Sequence, residues 1–178
     1  MIGADARQRL FFALWPPIEA AESMARIART PGMAGTPVAR DKLHVTLAFH
    51  GACDMAGRDA LIARAERVRM PSMALAFDRL GGVAKARLRW LELSHPPPGL
   101  LELAAFLRGP GLDRHRFVPH ITLCRKAETE AACALAPIAW RATEFVLAES
   151  GAHGVAGEYR TIARWPLGGA GGPGSNME

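Results

Sequence analysis

Lysine is almost missing from the 178 residues, occurring only as Lys42, Lys85 and Lys126, and tyrosine occurs once, as Tyr159. The formal charge of +5 therefore rests on arginine. Arginine grips phosphate and carboxylate bidentately, which suits an anionic partner, although an arginine-, alanine- and glycine-rich composition also follows from a GC-rich genome. Cysteine is scarce: Cys53, Cys124 and Cys133 are odd in number and widely spaced, with no Cys-x-x-Cys or Cys/His cluster. That excludes a zinc framework and predicts free thiols. No apolar run approaches the ~18 residues of a membrane-spanning helix. No Gly-rich phosphate loop follows a strand-like segment, which argues against a nucleoside-triphosphate or dinucleotide enzyme. Asp5, Arg7 and Arg9 precede a short apolar stretch with no small-residue cleavage site, so no signal peptide is expected and the cytoplasm follows by elimination.

What is present is the balance of a folded protein, 49% apolar and 22% charged, at a length that suits one domain or two small lobes sharing a core. Arg9 to Trp15 is an apolar run stopped by Pro16-Pro17 and predicts a buried strand. Further strands are expected at 43–49, 72–80, 87–93, 119–124, 143–149 and 158–165, with a turn at Gly81-Gly82. Helices are expected at 18–29, 58–70 and 99–108, the last introduced by Pro96-Pro97-Pro98 and ended by Gly109-Pro110-Gly111. This order predicts an α+β fold and not a doubly wound sheet. One domain is expected over 1–167, followed by a Gly-rich disordered tail over 168–178.

One internal echo stands out. Leu43-His44-Val45-Thr46-Leu47 and Pro119-His120-Ile121-Thr122-Leu123 share the pattern His, β-branched, Thr, Leu in the two halves of the chain. Random placement of the histidines and threonines predicts only about a quarter of one His-x-Thr pair, so two in matching strands carry information. Side chains alternate along a strand, which sends His44 and Thr46 to one face and Val45 and Leu47 to the other. His120 and Thr122 repeat this over Ile121 and Leu123. A lone strand histidine is more often a packed residue than a catalyst. A duplicated imidazole and hydroxyl facing one groove is a different matter, because in-line displacement at phosphorus needs a base on one side and an acid on the other. Imidazole titrates near 6.5 and serves as either, and the hydroxyls can donate to non-bridging oxygens. Such a site requires no metal or cofactor.

With these motifs the chain resembles the two-histidine (2H) phosphoesterases, and within them the bacterial RNA 2′,3′-cyclic phosphodiesterases, also called LigT-like proteins or 2′-5′ RNA ligases. Arg9 to Ala13, Leu43 to Phe49, Arg87 to Leu93 around Trp90, Pro119 to Arg125, Thr143-Glu144-Phe145 and Tyr159 to Trp165 carry the likeness in order along nearly the whole chain. The resemblance implies two pseudo-symmetric lobes of mostly antiparallel sheet with outer helices around a central cleft. His44, Thr46, His120 and Thr122 are then the catalytic tetrad, opening the terminal 2′,3′-cyclic phosphate of an RNA to a 2′-phosphate. His44 is assigned as proton donor and His120 as proton acceptor, an assignment that pseudo-symmetry leaves open. ATP-independent 2′-5′ ligation is the implied reverse reaction.

Arg125 is expected to bind phosphate, although strict alternation puts it on the face opposite His120, so the strand must bulge, twist or end before it. Phe49 and Phe117 are candidate platforms for an RNA base, as is Trp90; for Phe49 and Trp90 the apolar strands favour a place in the core. Cys124 falls nominally on the catalytic face, with strand-end packing as its expected role. Arg40, Lys42, Arg114, Arg116 and Lys126 flank the motifs and could meet RNA phosphates. His50 is expected to be incidental. A monomer acting on RNA, with no membrane partner, is the resulting expectation. The alternatives are a phosphodiesterase for a small cyclic nucleotide or ADP-ribose cyclic phosphate, and a non-catalytic module that binds RNA ends.

Overall fold

A computed structural model describes residues 7–31, 33–110, 117–128, 132–152 and 157–168. Its elements in chain order are β1 (Gln8–Leu14), α1 (Ile18–Ile27), β2 (Thr36–Pro37), β3 (Val45–Cys53), α2 (Met55–Ala65), β4 (Met73–Val83), β5 (Leu88–Glu92), α3 (Pro98–Arg108), β6 (His120–Arg125), β7 (Cys133–Ala142), β8 (Glu144–Ser150) and β9 (Tyr159–Pro166). The strands form one sheet in the order β7-β4-β5-β6-β3-β1-β8-β9, with the short β2 pairing along β6. The expected α+β class holds. Beyond Gly168, the predicted tail lies outside the described residues, as do Arg114 and Arg116.

The sheet consists of two four-stranded halves, and every strand pair is antiparallel. The halves meet at the centre through the pair Val45 with Ile121, between β3 and β6. In both halves a helix connects the motif strand to its outer neighbour, α1 between β1 and β3 and α3 between β5 and β6. The motif strands are thus the two middle strands, running past each other in opposite directions.

The two faces of the sheet differ. One carries the main core, including Leu10, Phe12, Leu14, Val45, Leu47, Phe77, Leu91, Ile121 and Leu123, packed with Met24 of α1 and Leu100, Leu103 and Leu107 of α3. The other carries a small cluster of Phe11, Ala13, Val146 and Ala148, with Trp15 and Tyr159 against it. This explains the unbroken apolar run of β1, since a strand covered on both faces needs no polar alternation. At its far end, α3 stops at Gly109 with φ +67°, a conformation that glycine adopts without steric cost. Arg64 and His50 satisfy its last carbonyls, Arg64 Nη1 donating to Leu107 and Arg108 and His50 Nε2 to Leu107 at 3.1 Å. His50 is therefore a capping residue outside the cleft.

Three expectations need correction. Gly81-Gly82 is no turn: β4 runs through both to Val83, and the reversal occurs at Ala84–Ala86 with Arg87 left-handed at φ 51°. Gly81 is glycine for another reason, because a Cβ there would lie 2.8 Å from Trp90 Nε1 and 3.0 Å from Glu92 Oε2. The second helix starts at Met55 and ends by Ala65, earlier than 58–70, since Asp54 caps it by accepting from the Gly57 amide at 2.8 Å. Strand β7 has no counterpart among the predicted strands. It is an edge strand interrupted by Pro137 and mostly exposed on both faces, so it lacks the alternation that marks a half-buried strand.

The packing predicts the cost of truncation. Phe12 is fully buried and packs against His50, Phe145 and Trp165, so Phe12→Ala should lose about 3–5 kcal/mol in urea denaturation. Phe49, 47% exposed on the neighbouring strand, should lose less than about 1 kcal/mol as Phe49→Ala.

Candidate active site

The Val45–Ile121 pair sets the site. Continuing this antiparallel register by one residue each way puts His44 across from Thr122 and Thr46 across from His120. Val45 and Ile121 point into the core and are completely buried, which turns all four polar side chains to the open face. His44, Thr46, His120 and Thr122 line one cleft there, together with Lys42, Phe49, Arg125, Phe11 and Tyr159.

Arg125 and Phe49 reach this cleft by the same device. Along β6, Thr122 pairs with Trp90 and Cys124 with Arg89, leaving Leu123 as an extra residue. Along β3, Thr46 pairs with Ala13 and Ala48 with Phe12, leaving Leu47 extra. Each bulge puts two consecutive side chains into the core, Leu123 with Cys124 and Leu47 with Ala48, and reverses the alternation beyond it. The next residue, Arg125 in one half and Phe49 in the other, then rejoins the face of the motif's threonine. The bulge that Arg125 required is present. Phe49 is not a core residue. Cys124 leaves the face of the four motif side chains, and its buried thiol donates to the Ala28 carbonyl at 3.4 Å.

Each histidine is oriented by its own strand. His44 Nδ1 lies 2.7 Å from the Lys42 carbonyl and His120 Nδ1 lies 2.8 Å from the Val118 carbonyl, two residues back in both cases. A carbonyl only accepts, so Nδ1 carries the proton and Nε2 is the nitrogen left for chemistry in the cleft. Each ring also meets an indole: Trp15 lies 4.8 Å from His44 and Trp90 lies 4.5 Å from His120, centroid to centroid. Trp90 is thereby placed beside the site and not in the core. Its Nε1 donates to Glu92 Oε2 at 3.0 Å, and Glu92 pairs with Arg79 at 3.2 Å.

The surroundings are otherwise unequal. Phe11 and Tyr159, both 5.2 Å from the His44 ring, complete an aromatic enclosure with Trp15. Burial there lowers the His44 pKa from 6.5 to about 4, assisted by the positive charges of Arg125 and His120 and opposed by the Lys42 carbonyl. Phe11, Trp15 and Tyr159 were not singled out in the sequence, although Phe11, Ala13 and Trp15 share a parity in β1 that the continuous apolar run conceals.

Other candidates fall elsewhere. Phe117 packs at the edge of the core with Arg108 5.4 Å over its ring and is not among the residues lining the cleft. Arg40 is paired with Glu22 at 2.9 Å, joining the turn before His44 to α1. Among the described residues, Lys42 and Arg125 are the lysine and arginine that line the cleft. Among the described residues, no group of three or more His, Cys, Asp or Glu could hold a metal ion, and no helix is long and apolar enough to cross a membrane.

The depressed His44 pKa has a consequence for stability. The unfolded chain binds the His44 proton near pH 6.5, whereas the folded chain binds it only near pH 4. Between these values the unfolded state holds more protons, so stability falls as the pH drops through the window and is level above it. The loss is on the order of 2–3 kcal/mol, allowing for the part of the ring that faces solvent. His50, also lowered by burial, adds a slope of the same sign. Urea denaturation of the wild type should show this fall, and His44→Gln should flatten part of it; an unchanged slope in the variant would remove His44 as its source.

Known proteins resemble this chain along most of its length. The family model described as "LigT like Phosphoesterase" matches residues 14–90, a span that contains the first motif. The RNA 2′,3′-cyclic phosphodiesterase of Escherichia coli (strain K12) is 38% identical over 171 residues, covering 90% of this chain and 97% of that protein. The crystal structure of E. coli LigT complexed with 3′-AMP superposes with a TM-score of 0.79 at 38% identity, covering 90% of this chain and 98% of that one. A crystal structure from Thermus thermophilus does so with a TM-score of 0.74 at 25% identity and the same coverage. The chain belongs to the LigT-like phosphoesterase family.

Proposed function

We propose that the protein is an RNA 2′,3′-cyclic phosphodiesterase that hydrolyses a terminal 2′,3′-cyclic phosphate to a 2′-phosphate, acting in the cytoplasm as a monomer. The observation that carries this reading is the pair of histidines, each with Nδ1 held by a backbone carbonyl and Nε2 left for the same cleft. The substrate class rests on the E. coli relative that bears this name and on the E. coli LigT complex with 3′-AMP.

In this mechanism the cyclic phosphate sits between the two imidazoles. His120 takes a proton from water as its oxygen bonds to phosphorus, and the bond to the 3′-oxygen breaks with its electron pair. His44 gives a proton to that oxygen, leaving the phosphate on the 2′-oxygen. Thr46 and Thr122 donate to the non-bridging oxygens, and Arg125 balances their charge. Phe49 offers its ring to the terminal base. With a 5′-hydroxyl in place of water as the nucleophile, the same steps join a 2′-5′ bond without ATP; in water hydrolysis dominates.

One observation favours a second assignment of the histidines. Burial already holds His44 neutral in the free protein, which is the state of a base; to act as the acid it must recover its proton from the charge of the bound phosphate. His44 as base and His120 as acid then reverses the two roles within the same geometry.

Metal-stripped protein with a 2′,3′-cyclic-phosphate oligoribonucleotide should yield a 2′-phosphate without ATP, and His44→Ala and His120→Ala should each lose about 10²–10⁴-fold in kcat. A folded variant of either kind with most of its activity would overturn the two-histidine mechanism. A substrate with sulfur in place of the bridging 3′-oxygen separates the roles. Thiolate leaves without protonation, so the acid variant should recover to within about tenfold of wild type while the base variant does not. Recovery of His44→Ala supports the first assignment and recovery of His120→Ala the second.

A further inference from the structure

The catalytic cleft opens into a second chamber that the mechanism above does not use. The part around the tetrad has a volume of about 200 Å³, below the roughly 300–1,000 Å³ of pockets that enclose a whole drug-sized ligand. The adjoining chamber, of about 720 Å³, shares Val38, Lys42, Arg125, Ser150 and Tyr159 with it and continues past Arg9, Thr36 and Ala39. Its lining holds three cations, Arg9, Lys42 and Arg125, and no carboxylate among the described residues.

Its wall is built rather than loose. Thr36 and Pro37 of β2 pair with Arg125 and Cys124, and the Val38 amide donates to the Leu123 carbonyl at 2.7 Å. This close approach depends on Gly35: at φ +146°, a Cβ would lie 2.8 Å from the Arg125 carbonyl oxygen. Arg9, at the other side, stands 5.3 Å over the ring of Phe49, so the cation of the second chamber and the base platform of the first touch each other.

We propose that this chamber is a subsite for the nucleotide that precedes the cyclic end, with Arg9, Lys42 and Arg125 facing the phosphodiester that joins the two and Tyr159 offering a surface to the sugar or base. The proposal rests on the phosphodiesterase reading of the same cleft and adds to it the place of a second nucleotide, which a cyclic mononucleotide lacks. A lining whose described charges are all positive attracts a phosphodiester through charge and counterion release, and a second stacked base adds to it. A small cyclic nucleotide fills only the catalytic part and leaves the chamber to water.

The test measures kcat/KM on a cyclic-ended trinucleotide and on the corresponding cyclic mononucleotide, for wild type and for Ala39→Glu. Ala39 is exposed with an extended backbone that accepts any residue, so the substitution adds a carboxylate to the chamber wall without straining the chain. Wild type should prefer the trinucleotide by roughly tenfold or more. The preference should decline with salt, by about 0.7 in log–log slope per additional phosphate contacted. In Ala39→Glu the ratio should collapse towards unity. A wild-type ratio near one, with both substrates hydrolysed, overturns the subsite and leaves the phosphodiesterase reading intact. A strong preference unmoved by Ala39→Glu overturns the assignment to this chamber. Hydrolysis of neither substrate contradicts the phosphodiesterase reading and the subsite together.

Discussion

Val45 and Ile121 form the joint on which the site depends. As the pair that links the two half-sheets, they fix the register that sets each histidine across from the other motif's threonine. Both side chains are completely buried, so a shift of one residue would expose them and turn the tetrad into the core. The requirement to bury two β-branched residues at the sheet centre therefore also holds four polar groups around one point on the opposite face. No side-chain network among the four is needed, and each histidine is aimed by a carbonyl of its own chain segment.

Beyond that joint, duplication of a bulge extends the site and also differentiates it. The same irregularity after each threonine delivers a guanidinium from β6 and a phenyl ring from β3 to the same cleft. One half thus brings a positive charge to the cleft and the other a flat apolar surface. The imidazoles diverge in the same way. His44 sits among Phe11, Trp15 and Tyr159 and is driven neutral, while His120 lies against Trp90. A symmetric scaffold thus offers two imidazoles in different surroundings, as an acid and a base require.

Much of this was legible in the sequence. The apolar run of β1, the two echoing motifs and the prolines and glycines that bound α3 each have a local cause, so their elements and the α+β class followed from residue types. What escaped has a physical cause as well. Strict alternation sends Phe49 and Arg125 to the wrong side, because a bulge is a property of the paired strand and not of the residues alone. Gly81-Gly82 looked like a turn, whereas the first glycine makes room for a tryptophan from β5. Strand β7, at the edge and carrying Pro137, has no period-2 signature to read. Tyr159 is remote in sequence from both motifs, and only the register of β8 with β9 and β1 brings it to His44. Asp54, by contrast, is an ordinary helix cap that could have been read at once.

The central claim is that both Nε2 atoms face one phosphate while both Nδ1 atoms stay bound to backbone carbonyls. Long-range ¹H–¹⁵N spectra of histidine-labelled protein, titrated with an oligoribonucleotide ending in a 2′-phosphate, address it directly. The Nε2 resonances of His44 and His120 should shift together along one binding curve, with both Nδ1 atoms remaining protonated. A shift confined to one of the two rings, or a change of tautomer on binding, would contradict the account.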